Sequence, residues 1–315
     1  MPTKTSVVEK PYVYALSTWG VAWLLASIAL IGVTFYQATA YMVGEWSAEE
    51  FSHGYLIPLI AGFLVWQRYQ DWRRADFTGS WAGVALVAVG LALDVIGRLA
   101  ALYVLQHLAL LMVIVGLVWS LTGTRELRNF AMPLGILIFM VPLPNVLLNP
   151  LSSELQLLSS TLGVWMLRLA GVSVFLQGNV IDLGAYKLEV AEACSGVRYL
   201  LPLMTLAFLM ACSFRVAFWM RAVLVLSSIP ITLFMNSLRI AAIGLMVDRW
   251  GMEMAEGLVH QLQGWMIFML SALVLLLEMY LMLRLSHDPR PWRAVFGLEL
   301  PSAPPAAVVK RTRRL

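Results

Sequence analysis

Residues 80–121, SWAGVALVAVGLALDVIGRLAALYVLQHLALLMVIVGLVWSL, decide the fold class. They hold two apolar runs, near 80–97 and 100–121, each close to the roughly 20 residues a helix needs to cross a bilayer. Asp94 and Arg98 are four apart in the first run, the spacing at which a helix brings opposite charges together. The whole chain agrees with this stretch. Of 315 residues, 60% are hydrophobic and 13% charged, with mean hydropathy +0.79. A soluble domain carries about 25% charged residues, so a water-soluble globule and a disordered chain are both excluded. Cys194 and Cys212 are too few for a disulfide framework. The net charge of +4 does not point to nucleic acid, because the basic residues sit in short segments between apolar runs and in the tail.

Working outward, further apolar runs lie near 17–43, 54–67, 130–148, 195–213, 222–246 and 262–284, giving about eight spanning helices. The first lacks a small-residue cleavage site and reads as retained. Lys and Arg concentrate after the even-numbered runs: Arg68, Arg73 and Arg74; Arg125 and Arg128; Arg215 and Arg221; then Arg290 through Arg314. The first intervening loop, 44–53, has none, while Arg98 and Arg249 are exceptions on that side. By the positive-inside rule both termini are cytoplasmic. Residues 149–170 mix Leu, Trp and Met with Ser, Glu and Arg, as an interfacial amphipathic helix does. Residues 172–191 are β-branched and aromatic, with turns at Gly178-Asn179 and Gly184, and read as a small hairpin on the outer side. The expectation is an all-α polytopic membrane domain over 1–285, with a basic, Pro-rich, disordered tail over 286–315.

Ionisable residues inside a bilayer are costly and mark function by default. Three clusters stand out: Glu192 to Arg198 where the hairpin meets the sixth run, Asn236 to Arg239 in the seventh, and His260 to Gly264 opening the eighth. The alternating topology brings all three to the outer side. Arg239 then lies about 10 Å below the surface, seven residues before the seventh run ends, and Asn236 shares its helical face. A Cys at a helix N-terminus is favoured as thiolate. A His accepts its proton and later protonates the leaving amine, and an Arg supplies donors for the oxyanion. Cys194, His260 and Arg239 are therefore a sufficient set for thiol-dependent acyl transfer. No metal or cofactor is expected: the four histidines lack HExxH spacing and there is no CxxC.

The bland readings compete residue by residue. A lone Cys in an apolar helix is more often packing, and Cys212, with only a serine beside it, reads as structural. It lies eighteen residues, or about 27 Å, along the helix from Cys194, too far for a disulfide. Arg239 has snorkelling as its alternative, and His260 an interfacial position. Arg198 either supports the thiolate or pairs with Glu192. Glu192 either contacts substrate or terminates the hairpin. His53 lies on the right side, although His53-Gly54 also serves simply to shape a loop.

At these clusters the sequence resembles the exosortase family, multi-spanning counterparts of sortases. YKLEVAEACSGVRYL (186–200), MNSLRIAAIG (235–244) and VHQLQGW (259–265) carry the resemblance, with FSHGYLIPLIAGFLVWQR (51–68) also typical. The 178–204 and 247–257 stretches look most like the exosortase D subgroup, whose partner signal is a VPEID-type variant. The resemblance implies Cys194, Arg239 and His260 as catalytic, with Glu192, Arg198, Asn236 and His53 in possible substrate-binding or supporting places. It also implies a bacterial inner-membrane location with the site facing the periplasm. The implied partners are the C-terminal sorting-signal helix of exported proteins (a PEP-CTERM-like motif, a transmembrane helix and a basic cluster), membrane lipids and an unidentified acceptor nucleophile. Two other classes compete. A transporter or lipid-carrier-binding protein would show paired repeats and broken helices at the midplane. A membrane acyltransferase in exopolysaccharide assembly would want a deep His with a partner, and His107 is its one candidate.

Overall fold

A computed structural model describes residues 18–68, 77–184, 186–189, 197–213, 216–251 and 258–286. The described residues fall into two compact units, one formed up to Gly44 and by Leu56–Val141, the other by Glu45–Tyr55 and from Pro142 onward. The tail beyond 286 lies outside the described residues.

In the first unit, α1 (Thr18–Thr34) and α2 (Tyr36–Glu45) replace the single helix expected over 17–43, and the chain bends by 69° between them. No proline causes this. The Arg98 guanidinium donates to the Thr34 carbonyl at the bend, and a side chain inserted at a helix ladder is a recognised source of kinks. Arg98 is itself held by Asp94 at 2.8 Å, as the i,i+4 spacing predicts. After α3 (Ile57–Gln67) come α4 (Trp81–Leu99) and α5 (Tyr103–Thr122), which match the two apolar runs that decide the fold class. Their backbones meet closely because glycine permits it: a Cβ on Gly83 would stand 2.2 Å from the Ser120 amide nitrogen. Backbone cannot yield as a side-chain end can. Gly83→Ala is therefore expected to cost at least about 2 kcal/mol through overpacking. Gly62→Ala in α3, where no atom lies within 4 Å of the added carbon, should leave stability nearly unchanged. Thermal unfolding of the two variants in one detergent checks this.

The expected fifth span over 130–148 is not one helix. Helix α6 (Thr124–Ile136) passes into a 3-10 turn ending at Met140. Pro142 and Pro144 stop it, having no amide to donate. A new helix, α7 (Asn145–Leu169), opens the second unit where an interfacial helix over 149–170 was expected. Its pattern runs opposite to a water-facing amphipathic helix: Ser159 and Ser160 are fully buried, whereas Leu157, Leu158, Trp165 and Leu169 are exposed. Gly163 packs on Ile240 of α9, so small residues set a close helix pair in the manner of membrane bundles.

The hairpin expected within 172–191 is a three-stranded antiparallel sheet: β1 (Phe175–Gln177), β2 (Val180–Asp182) and β3 (Lys187–Glu189). Gly178, at φ 63°, opens the two-residue turn between β1 and β2, where glycine suits the first central position. Gly184 donates its amide to Asp182 Oδ1 at 2.8 Å in the next turn. Leu176, Ile181 and Leu188 are cross-strand neighbours on one face. That face packs on Val164 and Leu167 of α7 and Ile240 of α9, and Ile181 is fully buried.

Helices α8 (Val197–Ser213), α9 (Phe218–Trp250) and α10 (Leu258–Leu285) complete the second unit. Leu203, Ala207 and Met210 of α8, Leu224 of α9, and Leu275, Met279 and Leu283 of α10 share one core. Helix α9 runs unbroken through Pro230, longer than the 222–246 expected. Near the proline the hydroxyls of Ser228 and Thr232 donate to the Val225 and Ser228 carbonyls, so these buried polar side chains are satisfied within the helix itself.

Polar side chains are drawn inward and large apolar ones left outside. Along α9, Ser228, Thr232, Asn236, Ser237 and Arg239 are buried while Phe218, Trp219, Leu226 and Phe234 are exposed. This inverts the soluble pattern. Four of the described helices are long and apolar enough to cross a membrane, or up to six if each broken pair counts as one span. The expected eight are thus supported in part: α3 has 11 residues, about 16 Å, and α8 has 17.

Candidate active site

Helix α9 carries two of the candidate residues, Asn236 and Arg239. Arg239 is only 2% exposed, and Asn236, one turn earlier, is fully buried. A guanidinium cannot lose its charge, so burial requires compensating groups. One is Tyr199 in the first turn of α8. Its hydroxyl accepts from Arg239 Nη1 at 3.4 Å, and the guanidinium carbon stands 5.8 Å from the ring centroid, within cation–π range. Snorkelling to an interface does not describe a side chain enclosed in this way.

Arg198, adjacent in sequence, stands 6.0 Å from the same ring centroid. Its guanidinium pairs with Glu49, which lies in a 3-10 helix, Glu49–Tyr55, packed on α8. Of the two roles expected for Arg198, pairing with Glu192 falls outside the described residues; among the described residues its ion-pair partner is Glu49. The segment carrying Glu49 is pinned by aromatic packing. Trp46 stacks edge-on against Tyr55 at 5.3 Å, and a Cβ on Gly54 would stand 2.4 Å from the Trp46 indole nitrogen. His53 belongs to the same 3-10 helix and is partly buried. Thus Glu49, Arg198, Tyr199 and Arg239 form a continuous charged and aromatic chain within the second unit.

Cys194 and Glu192 lie outside the described residues; in sequence Cys194 precedes the start of α8 by three residues. His260 is the third residue of α10, and its side chain lies outside the described set. Helix register still fixes its level. Ser227 of α9 donates to Glu278 of α10 at 2.5 Å. From that shared level, Arg239 is twelve residues along α9, about 18 Å, and His260 is eighteen residues back along antiparallel α10, about 27 Å. The backbone of His260 therefore stands about 9 Å beyond Arg239 along the helix axes, toward the end of α9. That end is Trp250, so Arg239 is about 16 Å from the helix terminus rather than the 10 Å expected.

The other sequence candidates have different settings. Cys212 is half-buried at the far end of α8, fifteen residues or about 22 Å from Val197. Asp94, Arg98 and His107 belong to the first unit, where the His107 ring bonds the Ala38 carbonyl at 2.9 Å. Among the described residues, no group of three or more His, Cys, Asp or Glu side chains converges as a metal site would. Tyr199 and Glu49 were not singled out in the sequence. Tyr199 had a local signal in lying between Arg198 and the apolar run of α8, whereas Glu49 had none.

A family model described as transmembrane exosortase matches residues 46–277. The chain belongs to the transmembrane exosortase family. No curated protein and no solved structure matches it. The matched region of this exosortase begins at Trp46, the ring that pins the Glu49 segment, and ends inside α10, so it takes in Cys194, Arg198, Tyr199, Arg239 and His260. Exosortase membership, together with the inverted burial pattern, makes this a multi-pass membrane protein and supports a membrane transpeptidase role.

Proposed function

We propose that this exosortase is a membrane cysteine transpeptidase that cleaves a C-terminal sorting signal from exported proteins on the periplasmic side of the bacterial inner membrane. Cys194, Arg239 and His260 carry the chemistry, and Glu192, Asn236 and His53 line or support the site. The observation that carries this reading is the buried Arg239 guanidinium held against Tyr199, five residues after Cys194 in sequence. Three residues of chain reach about 11 Å at most, so Cys194 is tethered close to the start of α8. In this reading His260, in the first turn of α10, completes the set.

In this mechanism the Cys194 thiolate attacks the scissile carbonyl carbon and the carbonyl π electrons move to oxygen. Arg239 donates to that oxyanion. Collapse breaks the C–N bond, His260 protonates the leaving amine, and a thioester with Cys194 remains. An acceptor nucleophile, deprotonated by His260, then attacks the thioester, and breaking of its C–S bond releases the product and restores the Cys194 thiolate beside protonated His260. The substrate is a PEP-CTERM-like signal, in the exosortase D variant a VPEID-type motif, followed by a hydrophobic helix and a basic cluster. The helix would lie beside the enzyme in the lipid, and the basic cluster on the cytoplasmic side would set its depth. Residues 1–285 form the catalytic domain, both termini are cytoplasmic, and 286–315 is an appended basic tail.

Co-expression with a reporter bearing such a signal, followed by mass mapping of its C-terminus, tests this. The expected result is a new C-terminus at the motif, carrying the mass of water or of a larger acceptor. An intact reporter, or cleavage that is indifferent to Cys194, overturns it.

A further inference from the structure

We propose that Glu49 is a positioning residue for Arg239, acting through Arg198 and Tyr199. This rests on the assignment of Arg239 to catalysis above and adds a residue that no motif in the last three helices contains. The argument begins with the Tyr199 ring. Guanidinium carbons stand 6.0 and 5.8 Å from its centroid, those of Arg198 and Arg239 respectively. Two cations drawn to one ring repel each other, and the burial of Arg239 weakens the screening of that repulsion by water. Glu49 neutralises the outer cation by a direct ion pair. With Arg198 so held, Tyr199 is free to offer its hydroxyl and ring to Arg239. Without Glu49, Arg198 loses that ion pair, and its charge bears more strongly on the same ring. Arg239 then loses the fixed direction that an oxyanion donor requires.

Exposure makes the role testable. The Arg198 and Glu49 side chains are 29% and 60% exposed, and an ion pair so open to water contributes little to stability. A purely structural role therefore predicts almost no effect, whereas a positioning role predicts a selective one.

The experiment uses the full chain with the sorting-signal reporter. Glu49→Gln is expected to lower kcat about tenfold with KM and protein level nearly unchanged, a smaller loss than outright misplacement of a reacting group brings. The charge-reversed double variant Glu49→Arg with Arg198→Glu should recover to within about threefold of the starting chain, because the pair re-forms in the opposite sense. A second readout needs no substrate: peptide-level modification of Arg239 by phenylglyoxal. The side chain is enclosed, so its slow modification should quicken several-fold in Glu49→Gln. Unchanged modification of Arg239 in that variant overturns the proposal, as does an equal loss in the single and double variants. Cys194→Ala, run in parallel, reports on the underlying assignment: its silence with Glu49→Gln unaffected removes only the positioning role, while retained cleavage removes both.

Discussion

Cells carrying Cys194→Ala should leave the reporter uncut, a loss of about a thousandfold or more, with membrane insertion and protein level unchanged. The size follows from the chemistry. A thiolate that forms the covalent intermediate has no substitute among apolar side chains, and removing a nucleophile from a cooperative set costs about as much as removing the whole set. Cys212→Ala supplies the comparison. It lies about 22 Å along α8 from Val197 and beside the Ala211 and Met210 core, so its replacement should lower activity less than twofold. Equal activity of the two variants would remove the thiol mechanism. Cys194→Ser separates nucleophile strength from size, since a hydroxyl in the same place is far less ionised at neutral pH. Quantitative immunoblotting of the processed and unprocessed reporter reads all three.

Arg239→Lys should cost about a hundredfold or more in kcat, with KM changed much less. Charge is kept in this variant, so the prediction isolates shape. The guanidinium presents a planar fork of donors and lies flat on aromatic faces, whereas an ammonium is compact and strongly hydrated. At 2% exposure that hydration cannot be recovered, and the shorter donor set cannot serve Tyr199 and an oxyanion together. Loss of one oxyanion donor alone is worth about a hundredfold to a thousandfold. Near-normal processing would show that Arg239 supplies only positive charge. Tyr199→Phe refines the point: it removes the 3.4 Å hydroxyl contact and keeps the ring, so it should fall between the original chain and Arg239→Lys.

Much of this was visible in the one-dimensional pattern, where the interaction is local. The Asp94–Arg98 pair follows from i,i+4 spacing, and the Gly178-Asn179 turn from the glycine's freedom at positive φ. Both depend on neighbours within a few residues. The third strand escaped because Lys187–Glu189 is three residues long and becomes a strand only by pairing with Val180–Asp182. The bend after Thr34 escaped for a similar reason, since the Arg98 side chain at the bend comes from 64 residues away. Helix α7 was misjudged because mixed polarity reads as a water-facing surface by default, yet in a membrane protein the serines turn inward and the leucines outward.

The amino-acid order alone established that the chain lives in a membrane and singled out which few ionisable residues lie within or beside its apolar runs. Hydropathy, charge and helical rise are properties of short windows, so they survive without knowledge of the fold. What only the tertiary structure decided is who compensates whom. Glu49 and Arg198 are 149 residues apart, and Tyr199 meets Arg239 across two helices. Burying a permanent cation requires partners, but no local rule says which distant segment provides them. Packing makes that choice.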